Sequence, residues 1–418
     1  MSKIVVVDNG SFSIKAGFAG ESLPRVCLPN CIGKVRRRER IYTCDQIYTL
    51  SEYFSHHPFS EGLLIDTALQ SDIWKYTFNK LNINPLECTI LVTEPFLNPT
   101  PLQHSLSELI FEDFQFESAI ISTCPQLIPF AFTPIQIPNA TSEQDINPCY
   151  LVLDCGYQCC NSVPMYQGTP IERGCRRLDI GGYYLDLLLK NFLAYRQIDL
   201  SRNAFLVSKI KEIACYVSTD FEKDLLQFSS DKRDGRSLDH WVKLPEPSSS
   251  LSKSSQFYNE ECIAPDPNEL ISELPEELVG IQGIYNKGMK MSQTQFVKLS
   301  TERITIPEIL FRPSDAGFNM EGISEMVITS IKSCPIHLQP LLASNILVSG
   351  GSSKFRNFHA RLQMDLTQML PSGWEINVRK ADVNPQYVAW SGASIWSSSP
   401  GFMGYTTSRK QYHETGKN

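Results

Sequence analysis

The sequence predicts an α/β protein with two related lobes around a cleft, because apolar strands run into small-residue turns at three places. The first strand is residues 4–7 (IVVV), four β-branched residues that favour a buried strand. A polar turn at residues 8–11 (DNGS) follows, and it leads into a second strand with Ile14, Ala16 and Phe18 in alternation. Taken alone, this stretch predicts no more than an ordinary structural hairpin.

A second copy of the pattern makes it less convincing that the first stretch is only a structural hairpin. Residues 150–167 (YLVLDCGYQCCNSVPMYQ) again run from an apolar strand through an Asp-x-Gly turn, and residues 346–353 (ILVSGGSS) add a third strand and turn. Three such turns can aim several backbone N–H groups at one point, as phosphate-binding loops do. The repeated unit therefore suggests two related lobes with a cleft between them.

These motifs resemble the two phosphate hairpins and the adenosine loop of the actin fold, and further matches follow in the same order along the chain. The further matches are SDIWK at 71–75, LVTEP at 91–95, RLDIGG at 177–182, IKE at 210–212 and YVAWSGASI at 387–395. The chain is therefore identified as a member of the actin-related protein family. The resemblance implies the actin-like two-lobed ATPase fold, in which duplicated mixed-sheet domains surround a nucleotide cleft.

The resemblance also implies a division of the chain into lobes. Residues 1–146 would form the first lobe, with residues 33–58 as a shortened small subdomain. Residues 147–387 would form the second lobe, including an extended insertion at about 229–291, and residues 388–418 would return to the first lobe. Actin carries a longer segment where this chain has residues 33–58, and that segment docks onto the next filament subunit. This departure argues against polymerisation.

Composition bounds the class of protein. The 418 residues are 42% hydrophobic and 20% charged, as in a soluble globular protein, and the net charge of -7 argues against a general nucleic-acid binder. The basic run at 34–40 (KVRRRER) is either a solvated loop or a contact for a partner, DNA or the import machinery.

Thirteen cysteines without a C-x-x-C pair and seven unclustered histidines do not indicate a zinc site. Without an apolar stretch of about 20 residues, we expect a reduced, intracellular protein that does not span a membrane.

The remaining elements are predicted from local patterns. A helix at 62–78 should start near Asp66 or Thr67 and bury Trp74. Further predicted strands are 24–29, 89–93 and 119–121, and further predicted helices are 101–111, 181–195, 206–217, 320–331 and 358–370. Residues 133–147 have the composition of a linker between the lobes.

The polar insertion at 229–291 allows two interpretations. It is either a flexible surface insertion or a docking element for a partner, because long loops in compact domains are often functional. The embedded WVKLP at 241–245 is apolar enough to act as an anchor.

By resemblance, ATP or ADP with Mg would bind in the cleft. Asp8 and Asp154 would hold the metal through its waters, since magnesium keeps several of them. Contacts to the phosphates would come from the two hairpins, namely from Gly10, Ser11, Lys15 and Gly156. Lys15 could instead be an ordinary surface lysine.

The nucleoside would be bound by the second lobe. Lys211 and Glu212 would contact the ribose and base, Gly350 and Gly351 would line the adenosine loop, and Phe355 would cover the purine. Phe355 could instead be a core aromatic residue.

Four positions depart from the actin pattern. Phe12 stands where actin has a glycine, Tyr157 replaces an aspartate and Gln386 replaces a lysine near the base. The glutamine that positions the attacking water in actin aligns with Pro125, and the neighbouring Gln126 matches only after a one-residue shift. Because phosphoryl transfer depends on positioning, we expect ATP binding with slow or absent hydrolysis, and we assign no catalytic residue.

Short signals point to one subfamily of the actin-related proteins. They are DCGY at 154–157, IFEDF at 110–114, AYRQ at 194–197, WVKLPE at 241–246 and IPEILFRPSD at 306–315. The resemblance implies a nuclear, non-polymerising subunit of a Swr-type chromatin-remodelling complex, with the cytoplasm as a second location. Such a complex exchanges ordinary histone dimers for a variant and so contributes to transcriptional regulation and genome maintenance.

The implied partners are the motor subunit of the remodeller, its zinc-finger partner subunit and, through the complex, the nucleosome, with no membrane contact and no homopolymer. Two alternatives remain open at this stage. One is a cytoskeletal actin-like filament protein, and the other is an active ATPase or sugar kinase of the same fold.

Overall fold

The computed structural model describes residues 3–36, 40–50, 52–134, 147–231, 239–243 and 296–415. Most of the predicted linker at 133–147 and of the insertion at 229–291 lies outside these residues, so both predictions stay open. Within the described part of the chain, no helix combines the length and the apolar character that crossing a bilayer requires.

The described chain contains strands and helices in mixed order, and eight strands precede the first α-helix. The strands are β1 (Lys3–Asn9), β2 (Ser13–Phe18), β3 (Val26–Pro29), β4 (Ile32–Lys34), β5 (Ile41–Thr43), β6 (Phe54–His56), β7 (Phe59–Ser60), β8 (Leu63–Leu64), β9 (Cys88–Glu94), β10 (Ser118–Thr123), β11 (Cys149–Cys155), β12 (Cys160–Tyr166), β13 (Thr169–Pro170), β14 (Arg176–Leu178), β15 (His240–Lys243), β16 (Phe296–Leu299), β17 (Ile346–Ser349), β18 (Val378–Lys380) and β19 (Thr407–Ser408). The α-helices are α1 (Thr67–Leu81), α2 (Thr100–Glu108), α3 (Cys124–Leu127), α4 (Gly182–Tyr195), α5 (Ala204–Ala214), α6 (Phe221–Asp231), α7 (Glu302–Glu308), α8 (Ile323–Lys332), α9 (Gln339–Ala343), α10 (Phe358–Met369), α11 (Val388–Ser397) and α12 (Arg409–Thr415).

The two large sheets are mixed and share one topology. The first has the order β19-β10-β9-β1-β2-β3, in which β1 is antiparallel to β2 and parallel to β9. The second has the order β13-β12-β11-β17-β18, in which β11 is antiparallel to β12 and parallel to β17. A hairpin next to a parallel strand thus occurs in both lobes, and the predicted duplicated α/β architecture is confirmed.

Helix α1 shows how local sequence sets the first lobe. The carboxylate of Asp66 caps the helix by accepting a hydrogen bond from the backbone N–H of Leu69 at 2.8 Å. Asn82 ends the helix in the left-handed conformation at φ 52°. Trp74 and Phe78 are buried on the face that packs into the first-lobe core, so Trp74 lies where the helical period predicts. The helix begins at its predicted start and ends later along the chain than residue 78.

The predicted helix at 101–111 is regular only in its first part. Helix α2 ends at Glu108, and the chain continues as one π-helical turn at Leu109–Asp113. This turn buries Leu109, Ile110 and Phe111 in the first-lobe core. Burial of three consecutive apolar residues by a wider turn is a tertiary effect that the 3.6-residue period does not predict.

The end of the described chain lies against the first lobe. Trp390 on α11 is fully buried, and its indole Nε1 donates to the carbonyl oxygen of Val6 at 3.0 Å. Further on, β19 pairs with β10 through Ser118 and Ser408. Residues 388–415 therefore close over the sheet that carries the first hairpin.

The proposed anchor at 241–245 is partly corrected by the structure. Strand β15 pairs with β16, and Val242 is buried in the core of the second lobe. The ammonium group of Lys298 lies 5.6 Å from the centre of the Trp241 ring. Trp241 and Val242 therefore contact their own protein, whereas residues 244 and 245 lie outside the described residues.

We expect acid to destabilise the second lobe. Burial lowers the pKa of His240 and of His359 to about 4, so both imidazoles stay neutral in the folded protein. In the unfolded chain they titrate near their ordinary value of about 6.5. Their contribution to folding stability is complete above about pH 6.5 and is lost as the pH falls from there toward 4.

Replacing His359 by leucine should reduce this acid sensitivity, measured as the fall in melting temperature between about pH 7.5 and about pH 5. His413, close to the end of the described chain, provides a matched control, because its side chain is exposed. An acid response that is identical in the wild type and in the His359→Leu variant would contradict the prediction.

Candidate functional site

The first hairpin places an ion pair at the base of its turn. Asp8 and Lys15 lie opposite each other in the register of β1 and β2, and the lysine Nζ is 3.0 Å from Asp8 Oδ2. Thr93, at the end of the parallel neighbour β9, donates from its hydroxyl to Asp8 Oδ1 at 3.0 Å. Both charged side chains are buried, so Lys15 is not a surface lysine. Lys15 also lines the cleft, where its ammonium group can meet an anion.

A network of amides holds the first turn from behind. The side chain of Asn30 donates to the carbonyl oxygen of Gly10 at 2.9 Å, and Gln70 donates to Asn30 Oδ1 at 3.2 Å. The indole of Trp74 donates to Asn9 Oδ1 at 3.3 Å. Helix α1 and the end of strand β3 thus fix the shape of the turn.

The second hairpin brings a second carboxylate to the same place. Burial raises the pKa of the Asp154 carboxyl to about 6, and the nearby charge of Asp8 contributes to that rise. The positive charge of Lys15 and a hydrogen bond from Ser349 act in the opposite direction and lower this pKa. The carboxylates of the two hairpins therefore lie close enough to interact. A divalent cation between them would remove their mutual repulsion.

The third turn packs directly on the second. Gly350 has φ 95° and ψ 153°, and a Cβ on it would clash with the carbonyl oxygen of Cys155. The hydroxyl of Ser352 donates to the carbonyl oxygen of Gly156 at 2.8 Å. Gly350 itself donates from its N–H to the carbonyl oxygen of Pro385 at 3.0 Å. Only glycine permits this close approach of the two turns.

Helix α5 contributes one wall of the cleft. The Nζ of Lys211 is 2.8 Å from Asp186 Oδ1 and donates to the carbonyl oxygen of Gly182 at 2.9 Å. An ammonium group carries three donors, so Lys211 retains donor capacity toward a ligand. Glu212 and Phe355 line the same cleft. Phe355 is buried and also packs into the second-lobe core, so it is both a core aromatic residue and a cleft residue.

A single cavity is lined by every residue that the sequence predicts for the site. These residues are Asp8, Gly10, Ser11, Lys15, Asp154, Gly156, Lys211, Glu212, Gly350, Gly351 and Phe355. They come from three strand ends and one helix that are far apart in the sequence. The structure thus brings them together, and their individual roles toward a nucleotide stay predictions.

The donor set fits a hydrated magnesium ion with a nucleotide. Asp8 and Asp154 offer carboxylate oxygens, and among the described residues no group of three or more His, Cys, Asp or Glu side chains forms a closed metal cage. Magnesium usually binds to proteins through one or two carboxylates and keeps several waters. When bound, the ion would screen phosphate charge, and Lys15 and the turn at Gly10 would orient the phosphates.

Comparison with known proteins identifies the family. The family model described as Actin matches residues 1–418 of the chain. The chain belongs to the actin family. Actin-family proteins generally bind a nucleotide with Mg, in agreement with the donor set of this cleft.

Within the actin family, similar proteins share one name. Actin-related protein 6 of Arabidopsis thaliana is 31% identical over 423 residues, which cover 100% of this chain and 98% of that protein. Actin-related protein 6 of Oryza sativa subsp. japonica is 30% identical over 423 residues, covering 99% and 97%. Actin-related protein 6 of Drosophila melanogaster is 30% identical over 420 residues, with the same coverage. The predicted similarity to this subfamily of actin-related proteins is confirmed.

The structure places the neighbouring side chains of Pro125 and Gln126 differently with respect to the cavity. Pro125 lines the cavity. The amide oxygen of Gln126 caps helix α3 by accepting from the backbone N–H of Thr123 at 3.1 Å and from its hydroxyl at 3.0 Å. The hydroxyl of Ser122 donates to the same oxygen at 3.2 Å. The amide of this actin-family chain is therefore used for capping, and a proline faces the cleft.

Several cavity residues were missed by the sequence analysis. Thr93 lies in the LVTEP match, but its hydrogen bonds to the first hairpin require the parallel pairing of β1 and β9. Asn161 lies opposite Asp154 in the register of β11 and β12, a pairing that the second hairpin already predicts. Cys124 also lines the cavity, and no sequence pattern indicated it. Arg177 lines the cavity as well and begins the RLDIGG match, but it was given no role at the site.

Proposed function

We propose that the chain is a structural, non-polymerising subunit of a Swr-type chromatin-remodelling complex that exchanges ordinary histone dimers for a variant. The similarity to proteins named actin-related protein 6 over nearly the whole of both chains carries this proposal. The motor subunit and its zinc-finger partner subunit would bind this chain, and the nucleosome would be reached through the complex. The protein would work in the nucleus, with the cytoplasm as a second location.

We propose further that the cleft binds ATP or ADP with Mg for stability and not for turnover. Asp8, Asp154 and Lys15 supply the charges that bind a metal and phosphates. Pro125 supports the second half of the proposal, because proline has neither a side-chain amide nor an N–H to position water.

Companion proteins provide the test of the assembly role. The full chain with an affinity tag is purified from nuclear and cytoplasmic extracts, and ordinary actin is purified in parallel as the control bait. A remodeller motor and a zinc-finger subunit that are enriched with this chain in the nuclear extract support the proposal. Companions restricted to cytoskeletal proteins would reject it in favour of the filament alternative.

Sedimentation of the purified chain tests polymerisation directly. With ATP, Mg and salt at concentrations at which actin forms filaments, we expect this chain to stay in the supernatant. Pelleting that depends on nucleotide and salt would contradict the non-polymerising role.

A further prediction tests whether Gln126 takes part in ATP hydrolysis or only caps helix α3. Replacing Gln126 by alanine should lower the free energy of unfolding by about 1 kcal/mol through loss of the helix cap, without changing the rate of phosphate release. Thr123→Ala is the matched control, because it weakens the same cap and leaves the amide in place. A drop in phosphate release that is specific to Gln126→Ala would show that this amide positions water after all.

A further inference from the structure

Aromatic rings from both lobes meet beside the cleft, and two of them line it. The centre of the Phe12 ring, in the turn of the first hairpin, lies 4.7 Å from that of Tyr157 in the turn of the second hairpin. It also lies 4.7 Å from the ring of Phe205 on α5, with an interplanar angle of 26°. Such distances are those of favourable aromatic pairs. Phe12 therefore contacts the second lobe through two separate elements.

Phe205 extends this contact into the small subdomain of the first lobe. It belongs to one buried cluster with Cys31, Tyr42, Ile47 and Tyr53. The ring of His57 lies nearly parallel to it, with the ring centres 6.4 Å apart. A second-lobe side chain is thus inserted between first-lobe residues and is itself buried. Opening of the cleft would expose this apolar surface to water, which is unfavourable.

Polar contacts tie the same two edges together. The backbone N–H of Tyr53 donates to the carbonyl oxygen of Arg202 at 2.8 Å, and Arg202 pairs with Glu52 at 2.7 Å. Elsewhere between the lobes, the guanidinium of Arg177 donates to the carbonyl oxygen of Glu61 at 2.6 Å. The charged side chains of these contacts are more exposed than the rings, and exposed ion pairs contribute little free energy. We therefore assign most of the free energy that favours the closed arrangement of the lobes to the aromatic residues.

We propose that Phe12, Tyr157 and Phe205 form an aromatic clasp that holds the two lobes closed and retains a bound nucleotide instead of letting it exchange. The identity of the ligand as a purine nucleotide with Mg rests on the proposed function. Release from a closed cleft requires the lobes to separate, and here separation would break the ring contacts. The clasp therefore makes the nucleotide a long-lived part of the folded subunit.

Loss of a clasp ring should accelerate release. The full-length protein is loaded with a fluorescent ATP analogue and Mg and chased with excess ATP, in the wild type and in the Phe12→Ala and Tyr157→Ala variants. We expect release to be faster by about tenfold, the factor that corresponds to the loss of one or two aromatic contacts. Tyr195→Ala is the matched control, because this aromatic side chain is 87% exposed on α4 and does not line the cavity.

Hydrogen exchange provides a readout that does not depend on the ligand. In both clasp variants, amides at 41–50 and 202–206 should exchange faster than in the wild type and in Tyr195→Ala, because the lobes separate more often. Unchanged exchange in folded variants would overturn the clasp. If no variant binds nucleotide but exchange rises as expected, the clasp stands and the proposed nucleotide role fails. Release at the wild-type rate from both clasp variants would refute the retention of the nucleotide.

Discussion

Replacing Asp154 by asparagine should weaken binding of the Mg–nucleotide complex by about 10–100-fold while making the ligand-free protein more stable. The carboxylate is half-buried in the cleft and lies near Asp8, and desolvation together with the charge of Asp8 raises its pKa to about 6. A neutral amide removes the cost of burying this charge, and we expect a gain of about 1–3 kcal/mol in the free energy of unfolding. Weaker Mg–nucleotide binding together with a larger free energy of unfolding is expected of a metal ligand. A residue that merely supports the fold would lower both when it is replaced.

Titration calorimetry with ATP, with and without Mg, and chemical unfolding of the ligand-free protein measure the two effects. Asp72→Asn is the matched control, because this carboxylate is 67% exposed and pairs with Lys75 on the surface of α1. It should change neither quantity appreciably. Full Mg-dependent binding by Asp154→Asn would remove Asp154 from the metal site.

Replacing Gly350 by alanine should destabilise the second lobe by about 3 kcal/mol or more. The backbone conformation at φ 95° and ψ 153° is available to glycine almost alone. In addition, the new Cβ would clash with the carbonyl oxygen of Cys155, which belongs to the backbone and cannot turn aside. The variant must therefore separate the second and third turns of the site.

Gly351→Ala is an internal control for this prediction. A Cβ at Gly351 meets no heavy atom of the described residues within 4 Å, and its φ is not positive. Its free energy of unfolding should stay close to that of the wild type, as measured by chemical unfolding of both variants. Equal stability of the two variants would mean that the third turn does not pack as tightly as the structure describes.

Much of the fold could be predicted because its signals are local and repeated. The strand and turn at Asp8 and those at Asp154 look alike in the sequence, and the structure gives them the same hairpin next to a parallel strand. Position in a turn at a strand end is also what brings a residue to the cleft. For this reason the residues predicted in the three turns line one cavity, and helix α5 adds Lys211 and Glu212 to it.

Other features depend on neighbours that the sequence does not place. Pro125 and Gln126 are adjacent, and shifting an alignment with actin by one residue decides which of them is matched to actin's glutamine. Only the start of α3 shows that the glutamine amide turns back to cap the helix and that the proline faces the cleft. The aromatic substitutions at Phe12 and Tyr157 likewise looked like separate departures from actin until the structure placed their rings 4.7 Å apart.

The sequence by itself determined the family, the duplicated hairpins and eleven of the residues that line the cleft, because each of these follows from short motifs in a fixed order. Tertiary structure alone decided three other features: the burial of Lys15 beside Asp8, the place of Val242 in the second-lobe core, and the contact between the lobes through Phe12 and Phe205. Such contacts join residues that belong to different elements. They depend on the packing of whole elements, which local patterns do not specify.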